Sequence, residues 1–342
     1  MVSFKNITKR AIKFIKKRWK HLEKKWKHTG RREHILILSL IIVLFVILLF
    51  SVFYLYGLVG FRGSQNNVPV KFIYNIGEEK GRGSLKSPLG VAISENRVYV
   101  ADSANGEVKV FTSKGTFLFS FPVSGDKSTS YPVGIIVGPD KNIYVSEIKN
   151  QHLMVFDSNG KYLHDFPKKN KLTIKPLALA YANGKLYITD IGDHTVKIFD
   201  LSGKFLKSIG RSGSGIGEFF YPNGVAVDED GKIYVADSNN GRVQVFDADG
   251  KYEYKINGEG DTKKILYLPR GIAIDNLHRI HVTDPFAHGV FVFDDEGKFL
   301  FSYGHEEGML MAPNGIVFGP EDKKIYITDR INNSIEVWEY KH

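Results

Sequence analysis

Residues 236–246 read ADSNNGRVQVF, and the same eleven-residue phrase returns five more times without a gap. The other copies are ADSANGEVKVF (101–111), SEIKNQHLMVF (146–156), TDIGDHTVKIF (189–199), TDPFAHGVFVF (283–293) and TDRINNSIEVW (328–338). Their acidic residues, Asp102, Glu147, Asp190, Asp237, Asp284 and Asp329, lie 45, 43, 47, 47 and 45 residues apart. A period in the forties built from short apolar runs predicts a β-propeller with one four-stranded blade per repeat.

Working outward from 236–246, the fourth repeat holds four such runs: GVAV (224–227), KIYVAD (232–237), RVQVF (242–246) and KYEYKI (251–256). Val, Ile, Tyr and Phe alternate with polar residues, as in half-buried strands. The intervening DEDG, SNNG and DADG supply the positive φ of tight hairpins. Each repeat is therefore expected to be an antiparallel meander, a-b-c-d. The a runs (GVAI, GIIV, ALAY, GVAV, GIAI, GIVF) carry no charge and belong on the inside of the ring.

The sixth repeat ends at WEYKH with no fourth run, while an orphan run, VKFIYNIG (70–77), precedes the first repeat. It matches KFLKSIG (204–210) and KFLFSYG (298–304), the d runs of repeats three and five. The N-terminal strand is expected to complete blade six and close the ring, which protects edges that would otherwise be open. The expected fold is thus all-β, a six-bladed propeller over 70–342.

The pattern P-x-G-V-A-V … I-Y-V-A-D-x-x-N-x-R-V-x-V-F … G-K-F-L resembles the NHL repeat, and the resemblance covers residues 68–342. Members of that family include sensor domains of bacterial receptor kinases, RNA-binding tripartite-motif proteins and the peptidyl-hydroxyglycine amidating lyase. So varied a membership makes the propeller a scaffold, and function has to be argued from its site.

Residues 35–61, ILILSLIIVLFVILLFSVFYLYGLVGF, contain 27 consecutive residues without a charge. About 20 suffice to cross a bilayer. The run is longer than a signal-peptide core and offers no A-x-A cleavage site. An uncleaved anchor over 34–61 is expected, followed by a linker at 62–69. Residues 1–33 hold 13 Lys/Arg and 2 Asp/Glu, a net +11, against +10 for the whole chain, so 34–342 sum to −1. The positive-inside rule places this basic tail in the cytoplasm and the propeller outside it. Phe4, Ile7, Ala11, Ile15, Trp19, Leu22 and Trp26 share one helical face among lysines, as in an interfacial amphipathic helix on anionic lipid. A near-neutral propeller lacks the electrostatic footprint of a nucleic-acid binder. Cysteine is absent, which excludes disulfides and thiolate metal sites. An exported, disulfide-free propeller points to a bacterial-type protein.

In an a-b-c-d meander the d-to-a and b-c connections share one face, and the a-b and c-d turns share the other. The long segments here are d-to-a, such as GRSGSGIGEFFYP (210–222), and b-c. The chain would enter strand d at Val70 from the short-turn side. The linker spans at most about 30 Å. The short-turn face is therefore expected to look at the membrane, and the long-loop face at a ligand.

Three groups of side chains could carry chemistry. The six recurring carboxylates are expected to be structural, accepting backbone N–H groups of the b-c loop; in the fourth repeat Asp237 could also pair with Arg242. His194 and His288 share one register position, and His152 is one place later. In the amidating lyase that the family resemblance brings in, one zinc-binding His occupies the register of His194 and two follow the Pro that opens strand a. The matching positions here are Leu89, Val133, Leu177, Asn223, Arg270 and Asn314, and none is His. Zinc needs about three convergent ligands, so no lyase metal site, no cofactor and no catalytic residue is assigned. The same six positions are expected to rim the channel mouth, with Leu89, Val133 and Leu177 forming an apolar half. Asn223, Arg270 and Asn314 form a polar half in which Arg270 is suited to a carboxylate or phosphate. Alternatively Arg270 pairs with Asp284. Phe219, Phe220, Tyr221, Tyr131 and Tyr267 add aromatic contact or pack blade on blade.

The function expected is that of a membrane-anchored, extracytoplasmic module whose long-loop face binds a protein, peptide or glycan. The alternatives are a lactonase- or lyase-type enzyme using Ca²⁺, Mg²⁺ or Zn²⁺, and a ligand-sensing ectodomain.

Overall fold

The computed structural model describes residues 68–341 apart from 79, 126, 168–173, 258–264, 306–307 and 321–322, together with Ser39 and Leu48. The chain divides into two compact units, Met1–Asn67 and Val68–His342. The amphipathic tail expected from the sequence lies outside the described residues, as do the membrane anchor apart from Ser39 and Leu48 and the linker apart from Val68 and Pro69. Among those described, no helix is long and apolar enough to cross a membrane.

The second unit is a six-bladed β-propeller of six four-stranded antiparallel sheets. Blade four shows the pattern: Pro222–Val227 (a), Ile233–Asp237 (b), Arg242–Phe246 (c) and Tyr252–Ile256 (d). Pro222 pairs with Asp237 and Asp237 with Arg242, so the strand-a start, the carboxylate and the b-c loop share one face. Strand b is buried along its whole length, whereas strand d alternates half-buried and exposed residues before ending at buried Ile256, as an outer edge must. Adjacent blades are joined by apolar clusters. Ala92, Tyr99 and Val108 of blade one, for instance, pack with Ile135, Ile143 and Phe156 of blade two. Each fully buried aliphatic or aromatic side chain contributes about 1.5–3 kcal/mol.

Blade six is completed by Val70–Ile76, which runs antiparallel to Ser334–Tyr340, with Val70 opposite Tyr340 and Ile76 opposite Ile335. Lys341 N–H donates to Pro69 O at 2.7 Å, extending the clasp by one bond. The chain thus enters the ring at its short-turn edge.

Two devices draw the a strands together. After the mouth residue, five blades have glycine: Gly90, Gly134, Gly224, Gly271 and Gly315. A Cβ on Gly224 would fall within the radius of the Arg270 carbonyl oxygen, and one on Gly134 would meet Leu177 O in the same way. Hydroxyls then stitch blades one, two, four, five and six each to the next. Ser146 donates to Leu177 O at 2.6 Å, Thr283 to Asn314 O at 2.6 Å and Thr328 to Leu89 O at 2.7 Å. Blades one and four carry Ala101 and Ala236 at that place. There the serine after the carboxylate substitutes, with Ser103 donating to Pro132 O at 2.6 Å and Ser238 to Pro269 O.

Candidate functional site

The six repeat carboxylates end the b strands and are buried. Each is held by N–H groups of its own b-c loop or of the loop entering strand a. Asp284 accepts from Tyr267 N at 2.6 Å, Leu268 N at 2.8 Å, Phe286 N at 3.0 Å and Ala287 N at 3.1 Å. Glu147 accepts from Tyr131, Lys149 and Asn150 N–H groups, and Asp329 from those of Ala312, Ile331 and Asn332 among others. Burial pushes the Asp284 carboxyl up, against the downward pull of its four N–H donors. The side chain two places into strand c bears on the same group. Lys109 meets Asp102 at 2.9 Å, Lys197 meets Asp190 at 2.8 Å and Gln244 Nε2 donates to Asp237 at 3.1 Å. Arg242 also reaches Asp237, at 2.8 Å. In blade six this position is Glu336, a buried acid facing Asp329.

The histidine register is the left-handed position of the b-c turn. Gly106, Gln151, His194, Gly241, His288 and Asn333 all have φ between 54° and 65°. Asn333 Oδ1 accepts Ser87 N–H at 2.8 Å, His194 Nδ1 accepts Tyr221 N–H at 3.2 Å, and His288 Nδ1–H donates to Met311 O at 2.6 Å. These side chains bridge to the next blade's entry loop. His152, one place on, pairs at the surface with Asp165 at 3.2 Å. Among the described residues, no group of three or more His, Asp or Glu is arranged to hold a metal.

The mouth residues ring the channel in chain order, since each strand a neighbours the next and that of blade six returns to that of blade one. Leu89, Val133, Asn223, Arg270 and Asn314 are half-buried, and Leu177 is buried. Asn223 Nδ2 donates to Tyr221 O at 2.8 Å, and Asn314 Nδ2 to Ala312 O at 2.8 Å. Arg270 Nη1 donates to Asn223 Oδ1 at 2.5 Å, while its Nε is buried with no acceptor. Its backbone N–H donates to Thr283 O at 2.8 Å, and Thr283 N–H donates in turn to the O of the next residue, Gly271, at 3.0 Å. Among the described residues Arg270 forms no ion pair. Burial, with Arg330 nearby, holds its guanidinium below the ordinary value, and Asp284 acts the other way.

The aromatic residues divide. Phe219 is wholly buried and packs on Phe246. Phe220 and Tyr221 are exposed and cluster with His194, while Tyr267 is exposed beside Phe286. Phe286, Ile216, Met309 and Ile331 join them on the long-loop face, and the sequence reading did not single out these four. Their common register, in a d-to-a or b-c loop of blades four to six, was the available signal.

Comparison with known proteins agrees with this architecture. Residues 85–111 and 219–246 match the NHL repeat, and 167–232 match a six-bladed β-propeller family. The chain carries NHL repeats in a six-bladed propeller. No curated protein matches it significantly. Similar solved structures include a gluconolactonase from Xanthomonas campestris, with TM-score 0.59, 15% identity and coverage of 79% of this chain and 89% of that one. A catalytically inactive virginiamycin B lyase from Staphylococcus aureus with quinupristin has TM-score 0.55 and 16% identity, covering 76% and 82%. A streptogramin B lyase has TM-score 0.53 and 12% identity, covering 80% and 98%. At these identities the likeness is one of fold.

Proposed function

We propose that the chain is a single-pass membrane protein with a cytoplasmic basic tail (1–33), a spanning segment (34–61) and an exported propeller that recognises a protein, peptide or glycan partner through its long-loop face. The charge-free run 35–61 behind a tail of net +11 supports the anchor, by hydropathy and the positive-inside rule.

One observation carries the recognition reading. Seven large apolar side chains exposed on the long-loop face (Ile216, Phe220, Tyr221, Tyr267, Phe286, Met309 and Ile331) belong to blades four to six. Phe286 is 57% and Ile331 54% exposed. Exposed apolar groups gathered on one sector of a rigid scaffold, rimmed by polar residues, mark an interaction surface. The repeat carboxylates are buried and each accepts backbone N–H groups, as structural acids do.

Site-specific photo-crosslinking in intact cells tests the reading. A crosslinker at Phe286 or Tyr221 is expected to give a discrete adduct, and one at the outer-strand residue Leu163 is not. Equal labelling at the three positions, or none at Phe286 and Tyr221, would defeat it.

A further inference from the structure

At the polar half of the mouth Arg270 forms no ion pair among the described residues, and a second guanidinium, that of Arg330, adds like charge nearby. Arg270 is half-buried. Its Nη1 is bonded to a neutral amide, its Nε faces no acceptor, and Nη2 has no partner among the described residues. The nearest acid in electrostatic terms, Asp284, has its oxygens occupied by four backbone N–H groups. Arg330 follows Asp329 directly, is exposed, and lies close enough to Arg270 for the two positive charges to repel. A dehydrated cation without a counter-charge is costly, and like charges held together raise that cost. Such an arrangement is favourable once an anion arrives, because a carboxylate can take two charge-assisted hydrogen bonds from guanidinium groups.

The other half of the mouth decides what the anion is attached to. Leu89, Val133 and Leu177 come from three consecutive blades and present no charge or hydrogen-bonding side chain. We propose that Arg270 and Arg330 bind the carboxylate of an organic ligand whose apolar portion lies against Leu89, Val133 and Leu177 across the channel mouth. This rests on the long-loop face being the working face, and it adds to that reading the chemical class of the group admitted at its centre.

The test is calorimetric titration of the purified full-length protein at low ionic strength with hexanoate, acetate, hexylamine and inorganic phosphate. Hexanoate is expected to bind more tightly than acetate, and hexylamine not at all. Arg270→Gln is expected to weaken hexanoate about tenfold or more, the scale of one lost charge-assisted contact. Arg330→Gln, at an exposed position that cannot unfold the ring, is expected to weaken it by a smaller factor. No hexanoate binding to the wild type, or binding unchanged in both variants, would overturn the site. Phosphate binding with hexanoate no better than acetate would overturn the apolar half and leave a plain anion site. Crosslinking at Phe286 reads the rim and titration reads the mouth, so each can fail without the other.

Discussion

Glu336 is the sharpest place to test the electrostatic reading of the ring. It occupies the strand-c position where blades one and three put Lys109 and Lys197 against the repeat carboxylate. Here an acid, only 1% exposed, meets Asp329 instead. Burial pushes its carboxyl up to about 8, Asp329 and Glu78 add to the effect, and Asn332 and Trp338 oppose it. Its Oε1 accepts Asn332 Nδ2 at 3.1 Å. The folded-state value lies above the ordinary 4.5. The stability it confers is therefore fully present below about 4.5 and lost as pH rises through about 8. At about 1.4 kcal/mol per unit, the ring should be roughly 4 kcal/mol less stable at pH 9 than at pH 5 from this group alone. Glu336→Gln keeps the shape and removes the titration. Urea unfolding of wild type and variant, followed by circular dichroism at both pH values, isolates the term because all other titrating groups are common to both. The variant is expected to match the wild type near pH 5 and to exceed it by a few kcal/mol at pH 9. Parallel pH profiles for the two proteins would refute the argument.

Three further outcomes follow from the same geometry. Gly224→Ala drives a methyl into the Arg270 carbonyl between neighbouring inner strands and should cost about 1–3 kcal/mol in urea unfolding; Gly125→Ala, where a Cβ meets nothing within 4 Å and φ is not positive, controls for loss of a glycine as such. Asp275 accepts from Arg279 Nε at 2.7 Å and from the Tyr340 hydroxyl at 2.9 Å. Although burial pushes its carboxyl up, His281 and Arg279 hold it well below the ordinary value, so its stabilisation exists above about pH 4 and fades as pH falls. Asp275→Asn should therefore cost about 3 kcal/mol at pH 7 and flatten the acid-unfolding profile, measured by fluorescence against pH. EDTA should leave the thermal midpoint of the full-length protein unchanged and elemental analysis should find no stoichiometric metal. A large EDTA effect would instead favour the metal-dependent lactonase or lyase alternative.

The parts of this structure that repeat were legible in the sequence. Six aligned phrases announced six blades, and the match of 70–77 to the d runs announced how the ring closes, because each rests on local chemistry that recurs. Arg242 could be matched to Asp237 for the same reason. What escaped were relations between blades. The glycine after five of the six mouth residues is visible in the sequence, but only the ring shows that it faces a neighbour's carbonyl. The hydroxyl stitch changes residue between blades, Ser103 and Ser238 replacing the Ser or Thr that precedes the carboxylate elsewhere, and so conceals its own periodicity. Whether Arg270 pairs with Asp284 could not be decided from spacing, since the answer depends on four backbone N–H groups having already filled that carboxylate. Glu336 could be seen as an odd member of its column, but its consequence lies in burial beside Asp329.

A repeat protein supplies its own control, because a side chain that departs from its column has left a structural role that the other blades still perform. The strand-b residue three places before the repeat carboxylate is Tyr99, Tyr144, Tyr187, Tyr234 and Tyr326, but His281 in blade five. There its Nε2 lies 2.8 Å from the Tyr340 hydroxyl oxygen and 3.4 Å from Asp275. Glu336 departs from its column in blade six, and Arg270 is the one cation among the six mouth residues. Phe286 and Ile331 are large apolar residues in b-c loops that elsewhere offer Ala104, Lys149 or Asn239. These departures fall in blades five and six, the pair that also meets the closing strand through Val70 and Tyr340. Stability shared equally around the ring would not require them there. Concentrated beside the exposed apolar sector and Arg270, they set one third of the ring apart from the rest, and that third is where a partner of the long-loop face and the carboxylate of a mouth ligand should make their contacts.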